Sequence, residues 1–138
     1  KHTVVIGGGL VGAETADMLA TQCEQITIVE MMPQIMRDGE PTPAKYMKER
    51  FTANGVKIYT SSKVMEIGNH EVIAEKDGQT FTIEPVDTVI VAVGVKTDLT
   101  LIDKIDQLSC KVIKVGDANG VKNGYLGIRE GFEAGLSV

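Results

Sequence analysis

The fold is decided by residues 3–30, which are TVVIGGGLVGAETADMLATQCEQITIVE. The first four are apolar or β-branched without interruption, which is typical of a parallel strand that is covered on both faces. Small and apolar side chains then recur at helical spacing over residues 10–20, and residues 25–29 form a second β-branched run. Because crossover connections are right-handed, this stretch predicts a β-turn-α-β unit with both strands in one parallel sheet.

Three glycines with the spacing Gly7-x-Gly9-x-x-Gly12 separate the first predicted strand from the predicted helix. The first permits a tight turn, the second lets a diphosphate approach the backbone, and the third lets the helix pack closely on the sheet. The main-chain amides at the beginning of the helix, at Leu10 and Val11, would stabilise phosphate charge together with the helix dipole. The spacing predicts a dinucleotide site, and a purely structural glycine turn is the alternative.

Glu30 ends the second predicted strand, eighteen residues beyond Gly12, where a carboxylate can accept both ribose hydroxyls of an adenosine. It would repel a 2′-phosphate, and the next residues, Met31 and Met32, supply no arginine to receive one. We therefore predict NAD(H) rather than NADP(H). Met31 would cover the adenine or fill a gap under the loop, and the alternative for Glu30 is a solvated acid at a strand end.

Three further residues are candidates for the nicotinamide half of this site. Ala92 lies near the end of the apolar run 88–93 and Gly94 closes that run, so both would lie at the carboxyl end of a parallel strand, beside the cleft. Glu14 lies shortly after Gly12 in the predicted helix. Two interpretations of Glu14 are open, because an acid in a first turn interacts well with the helix dipole, and the same carboxylate could bind the nicotinamide carboxamide.

The remaining chain changes from alternating strands and helices to short strands and tight turns. A second helix is expected to begin with Thr42 as N-cap and Pro43 at the first helical position, and to end at Asn54-Gly55. The Asp77-Gly78 pair predicts a hairpin within a three-stranded antiparallel meander. The other predicted strands are 56–59, 63–67, 71–75, 79–83, 88–93 and 112–115, and the other predicted helices are 98–105 and 126–137.

Composition excludes several classes of function. The chain of 138 residues has a net charge of −5 and no cluster of Lys and Arg, which argues against nucleic acid as a partner. Its apolar runs are strand-sized, well below the ~18 residues of a spanning helix, so we predict no membrane partner. Cys23 and Cys110 are far apart in the sequence, so no disulfide is predicted and a reduced, cytoplasmic setting is expected. Neither the cysteines nor His2 and His70 have the spacing of metal ligands, so no metal site is predicted.

Together, GGGLVGAE at residues 7–14, IVE at 28–30 and VAVG at 91–94 resemble the nicotinamide-binding domain of flavin-dependent pyridine nucleotide oxidoreductases. In that family an apolar strand followed by Gly-Asp re-enters the FAD domain, and VIKVGD at 112–117 is similar to it. The resemblance implies that Gly116 and Asp117 contact FAD. The tail GIREGFEAG at 127–135 resembles the NADH:flavin oxidoreductase group that includes 2-enoate reductase and 2,4-dienoyl-CoA reductase.

The resemblance implies a Rossmann-like FAD/NAD(P)-binding α/β fold, with a parallel sheet and a three-stranded antiparallel β-meander. Residues 1–105 would form the NAD(H)-binding domain, and residues 106–138 an incomplete C-terminal segment of the FAD-binding domain. The reaction served would be hydride transfer from nicotinamide to flavin, with no catalytic residue in this chain. The partners implied are the nicotinamide dinucleotide and the rest of a flavoenzyme, its FAD domain and an FMN barrel.

Several alternatives stay open. Gly116-Asp117 is also typical of an ordinary turn after a strand. The chain could hold ADP or NAD as a structural or regulatory ligand without electron transfer, and domains for adenosylmethionine or nucleotide sugars also use glycine loops. Gly127, Gly131 and Gly135 form a bare stripe in the last helix at a cost of about 1 kcal/mol each against Ala. We therefore expect a piece of a longer protein whose tail is frayed, docked elsewhere or exchanged with a neighbour.

Overall fold

The structure is a computed structural model that describes residues 1–37, 39, 41–105, 109–121 and 123–138. It divides into two compact units, residues 1–94 and 95–138. The strands are β1 (His2–Ile6), β2 (Gln25–Val29), β3 (Lys57–Tyr59), β4 (Lys63–Ile67), β5 (Val72–Lys76), β6 (Gln79–Ile83) and β7 (Thr88–Val91). The helices are α1 (Leu10–Leu19), α2 (Pro41–Ala53), α3 (Thr100–Ile105) and α4 (Gly124–Leu136), with a 3-10 helix at Gly116–Asn119.

The first unit contains two sheets. Strands β3, β2, β1 and β7 form, in that order, a parallel sheet, and β4, β5 and β6 form an antiparallel meander. The predicted β-turn-α-β unit and the predicted meander are both confirmed. At the β5–β6 turn, Asp77 and Gly78 both have positive φ, 52° and 78°, the backbone geometry of the two-residue hairpin that this pair predicts.

Apolar side chains cover both faces of the parallel sheet. Alternate residues of a strand point to opposite faces, so Val5 packs in a cluster with Ala16 of α1 and Phe51 of α2. Its neighbour Val4 packs in a second cluster that includes Val72 of the meander. The uninterrupted apolar character of β1 follows from this double burial. The residues that follow β1 and β7, Gly7 and Ala92, lie close to Gly12 in the first turn of α1.

Helix α2 begins earlier than the sequence predicts. It starts at Pro41 instead of at Pro43, so Thr42 lies inside the helix and is not its N-cap. Pro43 is tolerated at the third position because the first N–H groups of a helix have no intrahelical acceptor, and proline therefore removes no bond there. The predicted end is confirmed, since Gly55 has a φ of +67° and Val56 N donates to Phe51 O at 2.9 Å.

The Gly55→Ala substitution is expected to destabilise the chain by about 1 kcal/mol, because an L side chain is strained at positive φ. No described atom lies within 4 Å of the Cβ position at this residue, so the cost comes from the backbone and not from packing. Urea unfolding followed by circular dichroism measures it. Gly55→Asn is the control and should cost less, because asparagine tolerates this conformation; equal losses for both variants would contradict the explanation.

The second unit differs from the prediction in its strand. Residues 112–115, predicted as a strand, are extended at Val115 but pair with no other strand of the described residues. An extended segment forms a sheet only beside a neighbour, and α3, the 3-10 helix and α4 are the only regular elements that the described part of this unit contains. Within residues 95–102, 104–105, 109–121 and 123–138, no residue is buried.

The last helix is present and begins before Leu126. Asn123 is its N-cap, with Oδ1 accepting from Leu126 N at 2.9 Å, so α4 starts at Gly124.

The domain boundary predicted between residues 105 and 106 stays a prediction, because Asp106 lies outside the described residues. The observed division into two units falls after Gly94. A helix suited to span a bilayer is not found in the described part of the chain.

Candidate dinucleotide-binding site

The turn after β1 requires glycine at residue 7. Gly7 has a φ of +103°, and its N–H continues the sheet by donating to Val29 O at 2.9 Å. A Cβ at this position would collide with the main-chain carbonyl of Ala92. The N–H of Ala92 continues the pairing of β7 with β1 by donating to Ile6 O at 2.7 Å. The turn therefore lies between the carboxyl ends of β2 and β7.

Gly12 and Gly9 differ in their surroundings. A Cβ at Gly12 would collide with the main-chain carbonyl of Gly7, so this glycine allows α1 to approach β1 closely. At Gly9, by contrast, no described atom lies within 4 Å of the Cβ position, and φ is −63°, which any residue adopts. Neither close packing nor a positive φ requires glycine there, and the absence of a side chain leaves the backbone accessible on this side.

The beginning of α1 can accept an anion. Gly9 is the N-cap, and within the described residues no side chain caps the helix. The first intrahelical bond runs from Ala13 N to Gly9 O at 2.9 Å, so the N–H groups of the preceding turn, including those of Leu10 and Val11, have no intrahelical acceptor. Both of these side chains are exposed. Amides without an intrahelical acceptor and the positive end of the helix dipole together suit a diphosphate.

Glu30 lies beside this turn, as the site predicted from the sequence requires. Its Oε2 accepts from Gly8 N at 2.5 Å, and its Oε1 accepts from Met32 N at 2.6 Å. Each carboxylate oxygen can accept more than one hydrogen bond, so both retain capacity for ribose hydroxyls. Met31, the next residue, is 64% exposed, which leaves its side chain available to a ligand.

The loop after Glu30 returns to the glycine turn, which the sequence did not indicate. Met36 N donates to Gly8 O at 2.7 Å, and Ile35 lies over Gly8, with Cγ2 at 2.5 Å from the position of a Cβ there. Ile35 and Met36 are each 4% exposed. The only sequence signal for this contact is an Ile-Met pair within a polar loop that contains proline and glycine.

Two of the nicotinamide candidates, Ala92 and Gly94, follow the carboxyl end of β7, whereas the predicted position of Glu14 in α1 is wrong. Ala92 is half-buried against Gly7 and Gly12, and Gly94 has a φ of +89°. Glu14 was expected in a first turn, but α1 begins at Leu10, so Glu14 is its fifth residue and lies beyond that turn. Dipole stabilisation falls off within the first turn, and the exposed Glu14 carboxylate therefore contributes little by that route.

In the second unit, Gly116 begins the 3-10 helix with a φ of +58°. Its N–H donates to Glu130 Oε2 at 2.8 Å, and Thr97 Oγ1 donates to the main-chain carbonyl of Asp117 at 2.7 Å. A Cβ at Gly127 would lie 3.5 Å from the Cα of Gly116, an ordinary van der Waals distance, so α4 passes close to this turn but its packing there does not require glycine. Asp117 itself is exposed.

The sequence predicts no site at the histidines and cysteines, and in the structure His2 has a structural role. His2 is buried, with Nδ1 2.7 Å from Pro85 O and Nε2 2.8 Å from Thr27 Oγ1. Its main-chain N–H donates to Asp87 and holds the pKa of that carboxyl below its usual value. Cys23 and Cys110 are free thiols. In the part of the chain that the structure describes, His, Cys, Asp and Glu form no group able to hold a metal.

A parallel sheet with a glycine turn, an open helix N-terminus and a strand-end carboxylate defines a Rossmann-type dinucleotide-binding protein. The family model of pyridine nucleotide-disulphide oxidoreductases matches residues 1–121, and the chain belongs to that family. Its members use FAD and NAD(P)H. The predicted Rossmann-like fold and the predicted oxidoreductase relationship are therefore confirmed.

The relatives are much longer than this chain. Bilirubin reductase of Mediterraneibacter gnavus is 37% identical over 133 residues, which are 91% of this chain and 21% of that protein. NADH oxidase of Thermoanaerobacter brockii is 35% identical over 143 residues and is likewise covered to 21%. In a solved 2-naphthoyl-CoA reductase complex, the match covers 99% of this chain and 21% of that chain, with 27% identity and a TM-score of 0.80. The chain thus spans about a fifth of these relatives.

Proposed function

We propose that this chain binds NAD(H) and holds the nicotinamide for hydride transfer to FAD within a flavoenzyme. The observation that carries the proposal is the geometry at Gly9, where a Cβ would meet only open space beside uncapped amides of α1, with the Glu30 carboxylate fixed at the same turn. These are the binding surfaces that a diphosphate and a neighbouring ribose require.

Each part of the turn has its own task. The amides of Leu10 and Val11 donate to the diphosphate, and Gly9 lets it approach the backbone. Glu30 accepts the ribose hydroxyls and disfavours a 2′-phosphate by charge repulsion. Ala92 and Gly94 line the nicotinamide side, and Glu14 binds the carboxamide. When bound, the nicotinamide supplies the hydride and the flavin accepts it, so this chain contributes binding and orientation.

For the C-terminal part, we propose that residues 106–138 complete a FAD domain whose other parts lie outside this chain. A φ of +58° at Gly116, with Glu130 holding its N–H, gives a tight turn at which a flavin can approach the backbone. Asp117 is exposed beside it and would accept the ribityl hydroxyls. The whole enzyme would belong to the NADH:flavin oxidoreductase group, with an FMN barrel that reduces the organic substrate.

Two observations support this finer assignment. The sequence GIREGFEAG at 127–135 resembles the tail of that group, and the matched region is about a fifth of two named reductases and an NADH oxidase. We also propose a cytoplasmic location, since both cysteines are free thiols and reduced thiols persist in that compartment.

Calorimetric titration of the 138-residue chain with NADH, NADPH and ADP tests the proposal. NADH is expected to bind about tenfold more tightly than NADPH, because a 2′-phosphate would lie beside the Glu30 carboxylate. ADP should also bind, since it carries both the ribose and the diphosphate. Equal affinities for the two reduced dinucleotides would overturn the role of Glu30, and no binding of any of the three would overturn the dinucleotide site.

A further inference from the structure

The middle glycine of the turn, Gly8, is held through both of its main-chain polar groups. Its N–H donates to Glu30 Oε2 at 2.5 Å, and its carbonyl accepts from Met36 N at 2.7 Å. The two partners come from the strand end and from the loop that follows it. This loop is therefore part of the construction of the glycine turn and does not merely connect β2 to α2.

Packing places the loop where these bonds can form. Ile35 is 4% exposed and belongs to the core cluster beneath α1, together with Ala13 and Ile28. Its Cγ2 occupies the space that a side chain at Gly8 would fill. Because Ile35 is anchored in the core, the adjacent N–H of Met36 is held facing the carbonyl of Gly8.

The bond from Met36 also fixes the direction of the next amide. In a trans peptide the C=O of one residue and the N–H of the following residue point in opposite directions. The Gly8 carbonyl points at Met36, so the N–H of Gly9 points away from it. Gly9 is the N-cap residue whose Cβ direction is open, which places this amide in the turn assigned to the diphosphate.

We propose that Ile35 is a positioning residue for the diphosphate, which sets the Gly8–Gly9 peptide so that the Gly9 N–H donates to phosphate. This inference rests on the proposed function of the turn. Because Ile35 is 4% exposed, it acts through the Met36–Gly8 hydrogen bond and not by direct contact with a ligand. It therefore affects ligands that carry a diphosphate and not the recognition of adenosine, which Glu30 and Met31 provide.

The test compares ADP with adenosine on the 138-residue chain, using amide NMR titrations. Ile35→Ala is expected to weaken ADP binding about tenfold, the effect of one misaligned charge-assisted hydrogen bond, and to leave adenosine binding unchanged. The Gly9 amide resonance should move on addition of ADP to the unmodified chain, and move less in the variant. Ile35→Leu is the milder variant should Ile35→Ala not fold, because it removes the Cγ2 branch that lies over Gly8 and keeps the side-chain volume, with the same ordering of effects.

Ile26 provides a matched control, because it is 3% exposed in the same core cluster and pairs with Thr3 in the sheet, away from the carboxyl end of β1 that Gly8 follows. Ile26→Ala and Ile26→Leu make the same side-chain changes and should lower stability without changing the ratio of ADP to adenosine affinity. Equal losses for both ligands in the Ile35 variants, or the same ratio change in the Ile26 variants, would refute the positioning role. An unmodified chain that binds no ADP would instead refute the proposed function.

Discussion

Gly9→Ala is expected to lower the affinity of this chain for NADH by about 100-fold, because a methyl group would occupy the space in which two charge-assisted amide bonds form with the diphosphate. The fold should tolerate the change. Gly9 has an ordinary φ of −63°, no described atom lies within 4 Å of the new Cβ, and alanine is only a poorer N-cap than glycine, at a cost of about 1 kcal/mol or less.

Gly12→Ala is the matched control at the same turn. Its Cβ would collide with the main-chain carbonyl of Gly7, so α1 must move away from β1 and stability should fall by about 1–3 kcal/mol. Calorimetry with NADH and urea unfolding separate the two variants. Gly9→Ala should lose affinity for NADH while its free energy of unfolding changes little. If Gly9→Ala instead binds NADH as tightly as the unmodified chain, the main support for the diphosphate site is removed.

Glu30→Ala is expected to abolish the preference for NADH over NADPH. NADH affinity should fall about tenfold or more, since hydrogen bonds to a carboxylate contribute about 1.5–3 kcal/mol each. NADPH should lose less, because the substitution also removes the charge that repels its 2′-phosphate. Titration of both dinucleotides against the same preparation measures the ratio directly.

Glu30→Gln sharpens this test. The carboxylate accepts from Gly8 N through one oxygen and from Met32 N through the other, whereas an amide offers only one accepting oxygen and would set its NH2 group against a second donor. Glutamine should therefore also weaken ADP binding by disturbing the turn. Glu24→Gln is the control, since Glu24 is 91% exposed and pairs only with the amino terminus among the described ion pairs; an identical effect at both positions would contradict a specific role for Glu30.

Much of the first unit could be predicted from the sequence because its signals are local. The apolar run of residues 3–6 and the helical spacing after it identify β1 and α1, and the predicted bounds of β2, 25–29, agree with the structure. Asp77-Gly78 and Asn54-Gly55 mark positions where the chain needs positive φ, and both turns form as predicted. These features depend on a few adjacent residues, whose conformational preferences are intrinsic.

The wrong predictions concern places where several local choices are available. The sequence Pro41-Thr42-Pro43 allows either proline to begin α2, and the structure begins at the first. The beginning of α1 at Leu10 moves Glu14 out of the first turn. The run 112–115 has strand-like composition, yet no described strand lies beside it, and composition does not specify a pairing partner.

The sequence by itself determined the β-turn-α-β unit, the three glycines of the turn and an acid at the end of β2. Strand and helix periodicities and the glycine spacing depend only on residues that are close together in the sequence. Tertiary structure alone decided that Ile35 and Met36 return to Gly8 and that both oxygens of Glu30 hold main-chain amides. Contacts between an irregular loop and a distant turn follow no period, so they are set only when the core beneath α1 closes and fixes the path of that loop.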